Sequence, residues 1–223
     1  MDLKEYPDAE MMMIDVADRL AGELRTALAN HDRASLAVPG GSTPGPVFDS
    51  LCATHLDWDR VDVMLTDERW VPEGSPRSNT ALLRRRLLTD RAAAARYLPL
   101  YADAGAPEQA LPALRDAIRP ALPLSVALLG MGADMHTASI FPGADRLEDA
   151  LTGDDILYPM RAPGAPEPRI TLSAKVLKQA MSLHVLIVGL DKREALERAR
   201  TLPPDQAPVA ALLPDATVHW AEG

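Results

Sequence analysis

The sequence predicts an α/β fold, with a mostly parallel β-sheet covered by helices on both faces. Short runs of almost uninterrupted apolar residues occur at positions 36–38, 125–129 and 183–189. Between such runs the apolar residues recur every three or four positions, which is typical of amphipathic helices. A strand with one face in water alternates apolar and polar residues, so continuous apolar runs indicate strands buried on both faces. Strands and helices that alternate in this way predict a parallel sheet.

The first half of the chain begins with a predicted helix, whose apolar positions are Met13, Ala17, Leu20, Leu24 and Leu28. The strand at residues 36–38 follows and ends in a Pro-Gly-Gly segment. A second helix is predicted to begin near Pro44, because proline suits the first helical turn. A strand at residues 61–66 and helices at residues 78–88 and 108–118 continue the alternation.

The second half contains the predicted strands at residues 125–129 and 183–189. Asp191 is predicted to cap the next helix, because Glu194 follows it at the spacing of a capping box. Trp220 closes a last short strand. The proline-rich residues 162–168 indicate a surface loop. No internal repeat is visible, and we expect one domain over residues 1–223.

The composition is that of an ordinary globular protein, with 47% hydrophobic and 25% charged residues in a chain of 223. The formal net charge of -9 argues against nucleic acid and anionic membranes as main partners, because both require a basic surface. An anionic ligand therefore needs a local basic pocket. A monomer and a homodimer are both compatible with the sequence.

Cysteine content and segment polarity indicate the compartment. Cys52 is the only cysteine, so neither an intrachain disulfide nor a thiolate metal cluster is expected. The first ten residues are polar and acidic and lack the pattern of an export signal. No apolar run reaches the length needed to span a bilayer. By elimination, we expect a cytoplasmic protein.

Polar clusters follow three of the predicted strands, where ligands bind in open α/β sheets. The first contains Gly40, Gly41, Ser42 and Thr43 and leads into the helix at Pro44. Backbone N–H groups and a positive helix end meet there, which favours a phosphate-binding loop. A plain glycine-rich turn explains the cluster equally well. A nucleophilic Ser42 is disfavoured, because a nucleophile elbow has glycine where this chain has Pro44.

The second and third clusters contain the residues that favour acid–base chemistry. Asp67 and Arg69 alternate in direction with Glu68, so both can enter the same cleft, although a surface ion pair is the more common explanation of such residues. Asp134 and His136 follow a glycine-rich turn, close enough for the carboxylate to orient the imidazole. We expect the other four histidines to be structural. A metal site is not expected, because this pair has no further ligands at suitable spacing.

Together the clusters resemble the motifs of the 6-phosphogluconolactonase family, in the same order and over nearly the whole chain. The matching segments are residues 40–44, residues 67–72 with Ser78 and Asn79, residues 130–143, residues 169–172, and Gly189 with Lys192. The motif at residues 130–143 is long and specific. The resemblance implies a Rossmann-like α/β domain shared with glucosamine-6-phosphate deaminases and ribose-5-phosphate isomerases.

The resemblance also implies an activity: hydrolysis of 6-phospho-D-glucono-1,5-lactone to 6-phospho-D-gluconate in the oxidative pentose phosphate pathway, with no cofactor. In that reaction we expect His136 to activate water without a metal, because its unperturbed pKa of about 6.5 lies near working pH. We expect Asp134 to orient His136, and Arg69 or N–H groups near Gly132 to stabilise the oxyanion.

The substrate phosphate is expected on the loop of residues 40–43, with Arg169 and Lys192 supplying positive charge. Asp67 is included among the candidate catalytic residues. One departure from the family pattern is Met135, where the family usually has glycine. If this position adopts a positive φ, methionine is strained there by about 1 kcal/mol.

Two other functions use the same residues. A deaminase or isomerase of a phosphorylated sugar would share the cradle and the histidine, but the deaminases carry a further catalytic glutamate after that histidine. Here the histidine is followed by residues 137–143, and the next acid is Asp145. A sugar-phosphate sensor would normally carry a DNA-binding module, and no basic helix-turn-helix pattern is visible.

Overall fold

A computed structural model describes residues 1–223 of the chain. Its strands are β1 (Asp2–Glu5), β2 (Ala34–Val38), β3 (Val61–Leu65), β4 (Asp67–Arg69), β5 (Arg96–Leu98), β6 (Val126–Gly130), β7 (Leu157–Met160), β8 (Arg169–Leu172), β9 (Ser182–Val188) and β10 (Thr217–Ala221). Seven of them form one sheet in the order β1-β10-β9-β6-β2-β3-β5, and every pairing in it is parallel. The predicted parallel sheet is therefore confirmed.

The helices are α1 (Ala9–Asn30), α2 (Gly45–Cys52), α3 (Asn79–Arg86), α4 (Pro107–Ile118), α5 (Leu147–Thr152), α6 (Ala174–Lys178) and α7 (Leu190–Ala199). The connections through α1 (β1 to β2) and α2 (β2 to β3) move across the sheet in one direction. The connection through α7, from β9 to β10, moves across it in the opposite direction. Parallel crossovers are right-handed, so these two sets of helices cover opposite faces. No helix is both long and apolar enough to cross a membrane.

Most predicted elements occur within a few residues of their expected positions. Continuous burial accounts for two of the predicted strands: all five residues of β2 and of β3 are buried. α1 extends further than predicted and begins at Ala9, and the side chain of the preceding Asp8 caps it by accepting a hydrogen bond from the Met11 N–H (2.7 Å). Ser78 caps α3 through the Ala81 N–H (3.3 Å).

The predicted cap of α7 is wrong. The helix begins at Leu190, directly after Gly189, and Asp191 lies inside its first turn. Gly189 has a φ of 102°, a backbone conformation that favours glycine and that turns the chain straight from β9 into the helix. The start of α7 is therefore set by the backbone of Gly189, and no side chain caps it.

A second, antiparallel sheet of three strands, in the order β4-β8-β7, was not predicted. The proline-rich residues 162–168 form the loop between β7 and β8, as expected. β4 pairs with β8 in a register that places Asp67 opposite Thr171 and Arg69 opposite Arg169. This small sheet joins two polar segments that are about a hundred residues apart in the sequence.

Two of the histidines, His184 of β9 and His219 of β10, lie in a hydrogen-bonded chain that joins these strands to α1. His184 contacts Glu23 (2.8 Å) and His219 (3.0 Å), and His219 contacts the hydroxyl of Tyr6 (2.9 Å). Tyr6 in turn donates to Asp15 (2.5 Å). Burial lowers the pKa of His219 to about 3, and the neighbouring His184 adds to that effect. His219 is therefore neutral in the folded protein near neutral pH.

Candidate active site

A cavity of about 290 Å³ opens at the carboxyl ends of the central strands. It lies where the chain order reverses: β2 continues to β3 on one side, whereas β6 lies on its other side. Loops that leave neighbouring strands toward opposite faces form a crevice at such a point. Its walls are Pro39, Gly40, Gly41, Thr43, Pro44, Asp67, Arg69, Asn79, Leu129, Gly130, Met131, Gly132, His136, Ala138, Arg169, Leu186, Ile187, Val188 and Lys192.

The loop after β2 brings Gly40, Gly41 and Thr43 into the cavity wall and leads into the N-terminus of α2. Gly41 has a φ of 86°, which requires glycine. A side chain on Gly40 would collide with the carboxamide of Asn79. Ser42 does not line the cavity: it is exposed, and its carbonyl closes the turn by accepting from the Gly45 N–H (3.1 Å). The expected Ser42 contact is therefore absent from the cavity wall.

The loop after β6 is a tight turn closed by its own backbone. Gly132 N–H donates to the His136 carbonyl (2.9 Å), and Met135 N–H donates to the Gly132 carbonyl (2.9 Å). Met135 has a φ of 65°, so the position takes the left-handed conformation that glycine favours. A Cβ atom on Gly132 would collide with His136 Nδ1 and Asp134 Oδ1. Gly132 is therefore the residue that leaves room for the Asp134–His136 pair.

This pair has the geometry expected of an oriented base. His136 Nδ1 and Asp134 Oδ1 lie 2.5 Å apart, and His136 lines the cavity. The hydrogen bond from His136 is the largest influence that holds the pKa of Asp134 below its ordinary value. An ionised carboxylate can only accept, so Nδ1 carries the proton and Nε2 keeps a free lone pair. Asp134 itself does not line the cavity.

Asp67 is the first residue of β4, separated from the end of β3 by Thr66 alone, and is 6% exposed. Ser139 Oγ donates to its Oδ2 (2.5 Å), and Thr66 Oγ1 donates to its Oδ1 (3.3 Å). Arg169 Nη1 lies 3.9 Å from Oδ2, a long contact for an ion pair. The loop after β6 therefore supports both His136, through its turn, and Asp67, through Ser139.

Two arginines lie directly opposite each other in the small sheet, since Arg69 of β4 pairs with Arg169 of β8. Like charges in that position destabilise a sheet. Both arginines line the cavity, and the buried Nε atom of each has no hydrogen-bond partner. Burial lowers the pKa of the Arg169 guanidinium below its ordinary value, an effect that Asp67 opposes and Arg69 reinforces. Such an arrangement is stabilised by an anion.

The cavity is basic although the protein is acidic. Among its lining residues Arg69, Arg169 and Lys192 are cations and Asp67 is the one carboxylate. The formal net charge of the whole chain is -9. The local excess of positive charge is the basic pocket that an anionic ligand of this protein requires.

Glu68 and Asn79 support the site, although the sequence indicated no role for them beyond their place in the second matching segment. Glu68 points away from the cavity and is 1% exposed. Its carboxylate accepts from the N–H groups of Arg69, Asn79 and Thr80 and from the hydroxyls of Ser78 and Thr80. Asn79 Nδ2 donates to the Asp67 carbonyl (3.1 Å). These bonds fix β4 to the N-terminus of α3.

No group of three or more His, Cys, Asp or Glu side chains in the structure is arranged to hold a metal ion. The ten predicted site residues converge on one cavity: eight of them line it, and Asp134 contacts it through His136. The exception is Ser42.

Comparison with known proteins identifies the family of the chain. Residues 7–220 match the family described as glucosamine-6-phosphate isomerases/6-phosphogluconolactonase. A 6-phosphogluconolactonase of Mesorhizobium japonicum is 42% identical over 97% of this chain and 93% of its own length. One of Rhizobium meliloti is 43% identical over 99% of this chain and 98% of its own.

A crystal structure of a 6-phosphogluconolactonase from Shewanella baltica superposes with a TM-score of 0.96 at 30% identity, covering 99% of this chain and 97% of that one. Sequence and structure thus agree over nearly the full length of the chain. This chain belongs to the glucosamine-6-phosphate isomerase/6-phosphogluconolactonase family.

Proposed function

We propose that this protein hydrolyses 6-phospho-D-glucono-1,5-lactone to 6-phospho-D-gluconate, the lactonase step of the oxidative pentose phosphate pathway. The observation that carries the proposal is the oriented Asp134–His136 pair at the wall of a basic cavity. The names of the two curated relatives at 42% and 43% identity support the same reaction.

His136 acts as the general base. Its Nε2 lone pair accepts a proton from water as that water attacks the lactone carbonyl, and the resulting imidazolium then donates the proton to the departing ring oxygen. Asp134 fixes the tautomer and stabilises the imidazolium through the 2.5 Å contact at Nδ1. A lactone carbonyl is already electrophilic, so the scheme uses activated water and no metal.

Arg69 is assigned to the oxyanion. The sequence left the choice between Arg69 and backbone N–H groups near Gly132 open, but the Gly132 N–H already donates to the His136 carbonyl. Arg69 lines the cavity with an unpartnered Nε, and its Nη1 is anchored on the Arg77 carbonyl (2.8 Å). An anchored donor stabilises a developing charge without first reorganising.

Arg169 and Lys192 bind the substrate phosphate together with the loop of Gly40, Gly41 and Thr43. A phosphate monoester carries a charge of about -1.5 to -2 near neutral pH and needs several donors. The helix end at Pro44 and the exposed N–H groups before it add favourable dipoles. In this proposal Asp67, which lines the cavity near Arg169 and accepts from Ser139, also accepts a sugar hydroxyl.

The deaminase alternative is less well supported. Enzymes of that type carry a further catalytic glutamate after the histidine, and no glutamate lines this cavity. The only lining carboxylate is Asp67.

The test is lactone hydrolysis by the purified protein, with the spontaneous opening of the substrate subtracted. We expect acceleration of the phosphorylated lactone and no ammonia release from glucosamine 6-phosphate. Ammonia release without lactone hydrolysis would replace this proposal by a deaminase.

A further inference from the structure

We propose that Phe141 is a positioning residue for the general base, and that its ring holds the His136 imidazole so that Nε2 faces the cavity. The proposal rests on the function proposed above. The ring centroids of Phe141 and His136 lie 4.1 Å apart, and their planes are inclined by 26°. This is the geometry of a stacked aromatic pair. Phe141 does not line the cavity, so its effect on the reaction passes through His136.

His136 needs an orienting contact beyond Asp134. The side chain of Asp134 is 54% exposed, so water competes for its hydrogen bond. The χ2 torsion of histidine has broad minima, so the ring can turn about its Cβ–Cγ bond. A ring stacked on its face opposes that rotation. Gly132 packs against the Nδ1 and Cε1 atoms, and Phe141 therefore completes a set of three contacts that fix the imidazole.

The same stack favours the charged form of the base. Attack by water converts His136 to an imidazolium, and an aromatic face attracts a cation within about 6 Å of its centroid. The ring already attracts one cation, since Arg169 Cζ lies over it at 5.2 Å from the centroid. Because the ring stabilises the imidazolium, its loss makes His136 harder to protonate, and the acidic limb of the pH profile of kcat/KM should move to lower pH.

The test compares Phe141→Leu with Phe141→Tyr, which keeps an aromatic ring. The matched control is Phe48→Leu, the same change at the other phenylalanine, which is fully buried in α2. We expect Phe141→Leu to lower kcat by about 2- to 30-fold and to move the acidic limb down by about half a pH unit. Phe141→Tyr should leave both kcat and the acidic limb close to those of the wild type. Phe48→Leu should lower the melting temperature without moving the acidic limb.

A second readout needs no substrate. The ring current of Phe141 shifts the His136 Hε1 resonance upfield in the wild-type protein, and Phe141→Leu should remove that shift. An unchanged His136 resonance together with an unchanged acidic limb would overturn the proposal. A wild-type protein that hydrolyses no lactone would instead overturn the proposed function, because the resonance still reports on the stack.

Discussion

Replacing Arg169 with alanine tests whether the cavity recognises a phosphate. The side chain is 12% exposed, its Nε has no partner, and the one carboxylate within 4 Å is Asp67 at 3.9 Å. Little of its charge is neutralised inside the protein, so a bound phosphate gains most of the interaction. We therefore expect the substitution to lower kcat/KM for the phosphorylated lactone, chiefly through a higher KM.

The magnitude follows from the type of contact. A hydrogen bond to a charged group contributes about 1.5 to 3 kcal/mol, which corresponds to about a 10- to 150-fold loss in kcat/KM. The absence of a closer counter-ion favours the upper part of this range. Because the phosphate is remote from the reacting carbonyl, its binding energy also positions that carbonyl, and kcat can fall as well.

The assay measures the two lactones side by side, phosphorylated and unphosphorylated, each corrected for spontaneous opening. Hydrolysis of unphosphorylated gluconolactone should hardly change. Arg200→Ala is the control, since Arg200 is an exposed arginine that pairs with Glu197 and does not line the cavity. Equal losses on both lactones would show that Arg169 supports the fold or the chemistry and does not bind the phosphate.

Three further predictions follow from the structure. His136→Asn should lower kcat by about 100-fold or more with little change in KM, measured against the spontaneous rate, and a near wild-type kcat would remove His136 from the mechanism. Met135→Gly should leave activity intact or raise it, because the position already has a φ of 65°, and a large drop would reveal a positive role for the methionine. The free energy of unfolding should fall as the pH is lowered below about 6.5, because unfolded His219 then binds a proton and folded His219, with a pKa of about 3, does not. The free energy of unfolding from urea titrations should fall by about 1 kcal/mol from pH 6.5 to 5.5 in the wild type, and an equal loss in His219→Gln would refute this assignment.

The parts of the fold that the sequence predicted are those in which burial and local pattern agree. β2, β3 and β6 are mostly apolar and almost wholly buried because helices cover both faces of the sheet, and such short buried runs favour strands. The small sheet has no such pattern. β4 is Asp-Glu-Arg, and only its pairing with β8, far away in the sequence, makes it a strand.

The candidate site divides in the same way. Asp134 and His136 were predictable because they are close in sequence and follow a buried strand. Ser139 and Phe141 act through contacts with Asp67 and His136 that depend on how the loop after β6 folds back. No local spacing indicates such contacts. Gly189 likewise starts α7 by a backbone torsion that the apparent capping sequence at Asp191 does not reveal.

The three residues of β4 make this segment intolerant of insertions and deletions. Asp67 and Arg69 face the cavity, whereas Glu68 faces inward and accepts four hydrogen bonds from the start of α3 and one from the Arg69 N–H. Successive side chains of a strand alternate between its faces, so a shift of one residue would exchange the two sets. The inward carboxylate would then enter the basic cavity, and an arginine would take the place of Glu68 against the helix N-terminus. A change in the length of this strand would therefore disrupt the cavity and the scaffold together, whereas a substitution changes one side chain alone.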